Sequence, residues 1–231
     1  MKVMTFNTQH CLNFLERYVD YEIMAKTIRE IGADICGLNE MFSDGEGAQY
    51  PNQTKKLSEL SGLENYYFAE AVNLPPEGPY GNGFISKYKI LSAETIKIPD
   101  PNPRKYNGYY ETRCVLKARL ENGYTVLACH FGLNPDEAEN AVETILGALE
   151  DEKCILMGDF NVTPDNPVLN PIREKMKDAS VGYCENVPTF PSDKPTIKID
   201  YIFVSPDIEV TNSYVPEIIA SDHRTHVAEI K

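Results

Sequence analysis

Apolar positions in this chain fall into short runs, and most runs end on a polar residue. Lys2–Phe6 stops at Asn7, and Asp34–Leu38 stops at Asn39-Glu40. Between them, within Tyr18–Ile31, positions Tyr21, Met24, Ala25, Ile28 and Ile31 recur at helical spacing, and Gly32 suits a left-handed cap. Strand, helix, strand suggests a crossover unit. Ser43–Pro51 is polar and reads as a loop, Gln53–Leu60 as a short helix ending near Gly62, and Tyr66–Ala71 as a strand. Asn73–Tyr80 holds three prolines and a glycine, which predicts a loop. Gly83–Ser86 and Ile90–Ile98 read as a strand pair. Pro99–Gly108, rich in Pro and Asn, is irregular, either a substrate-facing loop or a plain surface connection.

In the second half, Thr112–Leu120 alternates as a strand. Asn122-Gly123 accepts positive φ at both turn positions, so a hairpin returns through Thr125–His130. Asn134-Pro135-Asp136-Glu137 is a helix start with a capping Asn, Pro at the first helical position and Glu at the third. That helix continues through Ala138, Ala141, Val142, Ile145 and Leu149. Strand 153–157 follows. Asn166-Pro167 opens a further predicted helix with Val168, Leu169, Ile172 and Met176 on its buried side. Thr189–Pro195 is a loop, and Ile197–Val204, Ile208–Val215 and His226–Ile230 are strands. No repeat or linker-like shift interrupts the chain, so residues 1–231 are expected to form one domain, α/β in class, with helices layered on mixed sheets.

Composition narrows the partners. Net charge is -13, from 35 acidic and 22 basic residues, and a field of that sign repels a polyanion at long range. Nucleic acid is therefore a disfavoured partner. Four of the six cysteines, Cys36, Cys114, Cys129 and Cys154, lie in apolar strand-like runs, and no C-x-x-C pair occurs. They read as small buried hydrophobes of a reduced compartment. No run reaches membrane-spanning length, and the first strand begins at Lys2 with no room for a leader before it. A cytoplasmic location is the expectation.

The polar residues at strand ends carry the candidate chemistry. Asp159 and Asn161 stand two apart after the buried run Ile155-Leu156-Met157-Gly158, so on an extended backbone they point the same way. In open α/β sheets, ligands sit at such carboxyl ends. A carboxylate beside an amide suits a hard cation and the phosphate oxygens it holds. Asn7, Glu40 and His130 also end strands, Asp200 opens one, and Ser221-Asp222-His223 precedes the last. Arg113 sits among apolar neighbours. Taken singly, each has a structural reading. Asn7 serves turn chemistry, Glu40 is a solvated strand end, His130 a core histidine, Asp200 an edge charge, Arg113 a buried ion-pair partner and Asp222 a turn cap. Taken together they are the inventory of metal-assisted phosphoester hydrolysis.

The order of these motifs resembles the endonuclease/exonuclease/phosphatase superfamily, the fold of deoxyribonuclease I. The matching pieces are Thr5-Phe6-Asn7, Leu38-Asn39-Glu40, Tyr80-Gly81-Asn82-Gly83-Phe84-Ile85-Ser86, Glu111-Thr112-Arg113, Cys129-His130-Phe131, Gly158-Asp159-Phe160-Asn161, Ile199-Asp200-Tyr201-Ile202 and Ser221-Asp222-His223. The resemblance implies a four-layered α/β sandwich, two packed mixed β-sheets with helices on both outer faces. It implies magnesium, or manganese, with Glu40 as main ligand aided by Asn7 and Asp222. It places Asp159 and Asn161 at the attacking water or a second ion, His223 at the scissile phosphate with Asp200 orienting its ring, and His130 as the acid for the leaving oxygen. Arg113 would bind phosphate, with Asn82 beside the substrate. His10, near the site, reads as a hydrogen-bonding support, and His226 as structural. Family members often carry Thr-His-Leu where this chain has Cys129-His130-Phe131. The chain is also short for the family, without length for the loops that nucleases use to grip DNA.

Three functions compete on this reading. The first is a metal-dependent phosphoesterase acting on a small diester, a phosphorylated metabolite or a lipid headgroup. The second is a nuclease, whose basic stripe would have to come from Lys87-Tyr88-Lys89 and Arg104-Lys105-Tyr106, with Tyr106, Tyr109 and Tyr110 stacking bases. The third is a non-catalytic binding module on the same fold.

Overall fold

The structure, a computed structural model, describes residues 1–45 and 48–231. In chain order its elements are β1 (Lys2–Asn7), α1 (Tyr21–Ile31), β2 (Ile35–Phe42), α2 (Gln53–Ser61), β3 (Asn65–Leu74), β4 (Gly78–Ser86), β5 (Ile90–Lys97), β6 (Cys114–Leu120), β7 (Thr125–His130), α3 (Pro135–Ala148), β8 (Cys154–Asp159), α4 (Asn170–Arg173), β9 (Lys177–Asp178), β10 (Asp200–Val204), β11 (Val210–Tyr214) and β12 (His226–Ile230). Among the described residues the strands make two six-stranded sheets, ordered β11-β12-β1-β2-β4-β3 and β5-β6-β7-β8-β10-β9. β1 and β2 pair parallel across α1, and β7 and β8 pair parallel across α3. The remaining pairs are antiparallel.

Three apolar clusters define four layers. Val3, Ile35 and Phe84 of the first sheet pack against Leu116, Val126, Met157 and Ile202 of the second. Met24 and Ile28 of α1 and Leu57 of α2 cover the first sheet's outer face, on Met4, Phe6, Leu38 and Ile85. Ala141 and Ile145 of α3, with Ile172 of α4, cover the second sheet on Leu127, Leu156 and Phe203. The central strands are thus buried on both faces, which is why β7 and β8 read as unbroken apolar runs. The result is the four-layered α/β sandwich. No helix among the described residues is long and apolar enough to cross a membrane. All six cysteines are free and buried.

Several boundaries differ from the sequence expectation, each for a local reason. α1 begins at Tyr21 rather than Tyr18, because the Asp20 carboxylate accepts from the backbone of Glu22 and Ile23 and caps the helix there. The loop expected over Asn73–Tyr80 is a hairpin, in which β3 and β4 stay paired as far as Leu74↔Gly78, with Pro75 and Pro76 at the tip and Pro79 paired with Asn73 at the start of β4. Gly83–Ser86 and Ile90–Ile98 are not a pair. β4 joins β2 and β3 in one sheet, while β5 crosses over to pair with β6 in the other. The helix expected from Asn166 to Met176 is reduced to the single turn α4 and a short 3-10 turn at Pro167–Leu169. A continuous helix would place Pro171 in its interior, against the carbonyl four residues back. β10 starts at Asp200 rather than Ile197, which instead bridges Phe190. Part of the loop expected over Ser43–Pro51, residues 46 and 47, lies outside the described residues.

Gly158 sits where β8 passes β7, at φ 150°, and a Cβ placed on it would lie 1.9 Å from the backbone oxygen of Cys129. Neither backbone has room to retreat within a paired sheet. Gly158→Ala is expected to lower stability by at least roughly 3 kcal/mol in denaturant unfolding. An unchanged midpoint would show that the β7–β8 approach is looser than this.

Candidate active site

The polar centre is the end of the inter-sheet core. Alternate positions of each strand face between the sheets. On β1 these are Val3, Thr5 and Asn7; on β8, Ile155, Met157 and Asp159; on β7, Val126, Ala128 and His130; on β10, Val204, Ile202 and Asp200. At one end of the sandwich the inward residue changes from apolar to polar on all four strands. The two sheets therefore present these groups to one another without any loop being needed.

Asn39 ties the sheets at this end. Its Oδ1 accepts from Asp159 N at 3.0 Å, and its Nδ2 donates to Cys129 O and to Asn82 Oδ1, each at 2.8 Å. Asn82 Nδ2 then donates to Cys114 O at 2.9 Å. Asn82, expected beside the substrate, is instead 2% exposed, with both ends of its amide spent inside the protein. It holds Asn39 in place beneath the site. Glu40 reaches the site by a different device. Leu38 pairs with Gly83 but Met41 pairs with Gly81, so β2 carries an extra residue at Asn39-Glu40. Leu38 and Met41 both face the helix layer. The bulge, with Glu40 at φ 58°, turns its carboxylate away from that layer.

Asn7 Nδ2 donates to Glu40 Oε1 and to Asp159 Oδ2, each at 3.0 Å, so one amide bridges carboxylates from the two sheets. Its Oδ1 accepts from Gln9 N at 3.1 Å. Asn7, expected to offer its oxygen to a metal, thus presents its nitrogen to the pair. His10 Nδ1 lies 3.6 Å from Glu40 Oε2 on the other side. Asp159 Oδ1 accepts from Asn161 N at 2.9 Å, while Asn161 Nδ2 is committed to Phe131 O.

Two imidazoles face Asp159 Oδ2, His130 Nε2 at 3.4 Å and His223 Nε2 at 3.6 Å. They carry different charges. His223 donates Nδ1 to Asp200 Oδ2 at 2.9 Å. Burial opposes its charge, but Asp200, Asp159 and Asp222 outweigh burial and push its pKa up to about 10. Burial, Arg113 and His223 hold His130 well below the ordinary histidine range. Arg113 Nη1 lies 3.1 Å from His130 Nδ1. A guanidinium only donates, so Nδ1 accepts and the neutral ring carries its hydrogen on Nε2, toward Asp159. Burial pushes Asp159 up to about 7, with His223 opposing and Asp200 reinforcing. Burial likewise raises Asp222, with His223 opposing and Glu40 reinforcing.

Arg113 is 11% exposed at its side chain and paired with Glu111 Oε1 at 2.5 Å. Its guanidinium also faces the buried Tyr80. Glu111 and Tyr80 lay inside recognised motifs but had no role assigned from sequence. The i, i+2 spacing of Glu111 and Arg113 was the available signal. Asp159, Asp200 and His223 offer ligand atoms within 4.8 Å of one another. With no metal bound, His223 carries a proton on Nε2 and bonds Asp200 through Nδ1, so in this structure the trio is arranged as an acid–base group. Glu40 and Asp222, whose charges are felt by one another, are the oxygen donors that suit a hard cation. Of the residues singled out, Asn7, Glu40, Asp159, Asn161, Asp200, Asp222, His130, His223 and Arg113 meet here, and Asn82 lies below them. His226, read as structural, is fully buried and bonds Ser213 through Nε2 at 2.8 Å.

Comparison with known proteins follows the same outline. A sequence model of the Endonuclease/Exonuclease/phosphatase family matches residues 4–223. No curated protein matches significantly. Among solved structures, an endonuclease/exonuclease/phosphatase from Beutenbergia cavernae is similar with TM-score 0.83 at 22% identity, covering 100% of this chain and 71% of that one. A mannosyl-6-phosphatase from Bacteroides thetaiotaomicron has TM-score 0.78 at 17% identity, covering 100% and 99%. The human Nocturnin catalytic domain, solved with a bound sulfate, has TM-score 0.70 at 16% identity, covering 100% and 94%. At these identities the likeness is one of fold.

The two imidazoles should be distinguishable in solution. Nitrogen-detected NMR of the metal-free protein is expected to show His130 neutral, with its hydrogen on Nε2, and His223 charged, between about pH 5 and 8. A His130 ring that titrates near its ordinary value would remove the Arg113 contact as the cause.

Proposed function

The chain belongs to the endonuclease/exonuclease/phosphatase family, and from that membership we propose that it is a divalent-cation-dependent hydrolase of phosphate esters other than long nucleic acids. The observation that carries the reading is the convergence at Asn7, whose Nδ2 sits 3.0 Å from both Glu40 and Asp159 while two imidazoles face the same Asp159 oxygen. Carboxylates able to hold a cation, beside a charged and a neutral imidazole, suit the binding of a phosphate and the movement of one proton. The raised pKa of Asp159 within this cluster favours a catalytic reading over a binding module.

Magnesium, or manganese, would be held by Glu40 and Asp222, with Asn7 able to contribute its oxygen by turning its amide. When bound, the cation neutralises phosphate oxygens and stabilises charge developing on them. The chain's own groups do the rest. Asp159, pushed up to about 7, accepts the proton of the attacking water near neutral pH. Asn161 N fixes the orientation of that carboxylate. His223, charged and steadied by Asp200, donates Nε2–H to a phosphate oxygen and is the group with an ionisable proton to give. His130 donates Nε2–H as a neutral ring, so in this proposal its part in leaving-group departure is a hydrogen bond rather than a full proton. Arg113 keeps its tautomer and is itself bound to Glu111, which leaves it less free to grip phosphate.

The nuclease alternative has weaker support. Tyr110 is already occupied, with the Arg104 guanidinium 4.7 Å above its ring and its hydroxyl donating to Asp136. Only Tyr106 and Tyr109 remain exposed, at 46% and 65%. With a net charge of -13, a long polyanion is repelled. A cytoplasmic location belongs to the same proposal, supported by six unpaired buried cysteines.

Asp159→Ala and His223→Ala are each expected to cut turnover of bis-p-nitrophenyl phosphate with magnesium by roughly two to four orders of magnitude. Near-normal turnover in either, or full activity in EDTA, would reject the mechanism. A second expectation concerns pH. Asp159 and Asp222 hold protons to higher pH than ordinary carboxylates, and a cation competes with those protons. Magnesium affinity, measured by calorimetry, should therefore rise with pH, with proton release on binding. An affinity that does not change with pH would place the cation elsewhere.

A further inference from the structure

One feature that the proposed chemistry leaves unused is a groove of about 830 Å³ between α3 and the segment after β8. Pro167 and Pro171 line it, in the segment where the helix expected after Asn166 is cut to a 3-10 turn and a single α-turn. Its walls are half-buried or buried Val142, Leu146, Val162 and Val168, and Leu133, 63% exposed, stands at its edge. Two lining residues lie beside the proposed catalytic centre. Asn161 lines it and donates its backbone N–H to Asp159. Gly132, two residues beyond His130, lines it from the other side.

Its rim is acidic. Glu139 and Glu143 both line it, and among the described residues only Glu139 has a charged partner, Lys105 at 3.3 Å. An anionic continuation of the substrate, such as a second phosphate, would meet repulsion at this rim and apolar walls below it. An uncharged hydrocarbon group meets neither penalty.

We propose that this groove seats an uncharged, apolar ester group of the substrate, an alkyl chain or a compact aryl group, while the phosphate lies at Asp159 and Glu40. The proposal rests on the phosphoesterase reading and adds to it the character of the alcohol. The groove sets specificity through KM. The groups that act on phosphate are unchanged by what fills it.

The test uses p-nitrophenyl phosphate diesters whose second ester group is methyl, butyl, octyl or phenyl, with magnesium. In the wild-type protein KM should fall by roughly threefold per methylene from methyl to butyl, as the chain leaves water. Octyl and phenyl separate a chain-type occupant from an aryl one, and a gain with either supports the groove. Val168→Glu, which puts charge in the wall, and Val168→Phe, which fills it with apolar volume and preserves the core, should both flatten this dependence. Turnover of the methyl diester should stay unchanged in both. If neither these diesters nor p-nitrophenyl phosphate is turned over, tighter binding of octyl phosphate than of methyl phosphate, lost in Val168→Glu, would keep the groove while rejecting the phosphoesterase reading. Turnover of the methyl diester with no effect of chain length would overturn the groove and leave that reading standing. A dimer that Val168→Glu dissociates, with KM independent of chain length, would assign the groove to a second copy of the chain and overturn the proposal.

Discussion

The carboxamide of Asn39 is the contact on which the site depends. It reaches from the first sheet to the second, accepting from the backbone of Asp159 and donating to Cys129 O and Asn82. These atoms are buried, so an unmet partner would keep the full desolvation penalty. The hydrophobic core between the sheets tolerates small slips because dispersion is not directional. This amide does not, because its two ends recognise different backbones at fixed distances. It sets the register of one sheet on the other where carboxylates must meet within an ångström or so.

From that register follows an asymmetry in charge. Asp159 looks in one direction at a histidine backed by a carboxylate, and in the other at a histidine backed by a guanidinium. The two rings are of one residue type and at similar distances from one oxygen. Burial disfavours charge on both rings; the carboxylates beside the first overcome it and make an imidazolium, while Arg113 reinforces it at the second, which stays a neutral donor. The groove on α3 lies beside the segment where the expected helix stops short, and Asn161, which lines it, bonds Asp159 through its backbone N–H. Chemistry and shape are thus set by separate constraints that share one strand end.

Much of this was legible in the chain, and the misses have physical causes. Apolar runs ending in Asn7, His130 and Asp159 located the polar strand ends because alternation along a strand is a local property. The family motifs gave the order of the layers. Asn82 was misplaced because a buried amide and a substrate-facing one have the same letter and neighbours, and only the partner atoms differ. The β4–β5 pairing was misread for a similar reason. Two adjacent strands normally pair, but nothing local records that β5 finds its partner, β6, in the other sheet. Glu111 escaped notice because its role exists only through Arg113's position beside His130.

Periodicity, caps and turn chemistry, read from the sequence alone, were enough for most strands, for α1 to α3, for the hairpin at Asn122-Gly123 and for the list of polar groups at strand ends. Those signals act over a few residues, within the reach of neighbouring backbone and side chains. The tertiary structure decided which of those polar groups share a space, which histidine holds charge, how the bulge at Glu40 turns its carboxylate, and that the outer face beside α3 stays open. Each of these depends on atoms far apart in the chain, where hydrogen-bond direction and electrostatic energy are set by packing and not by sequence order.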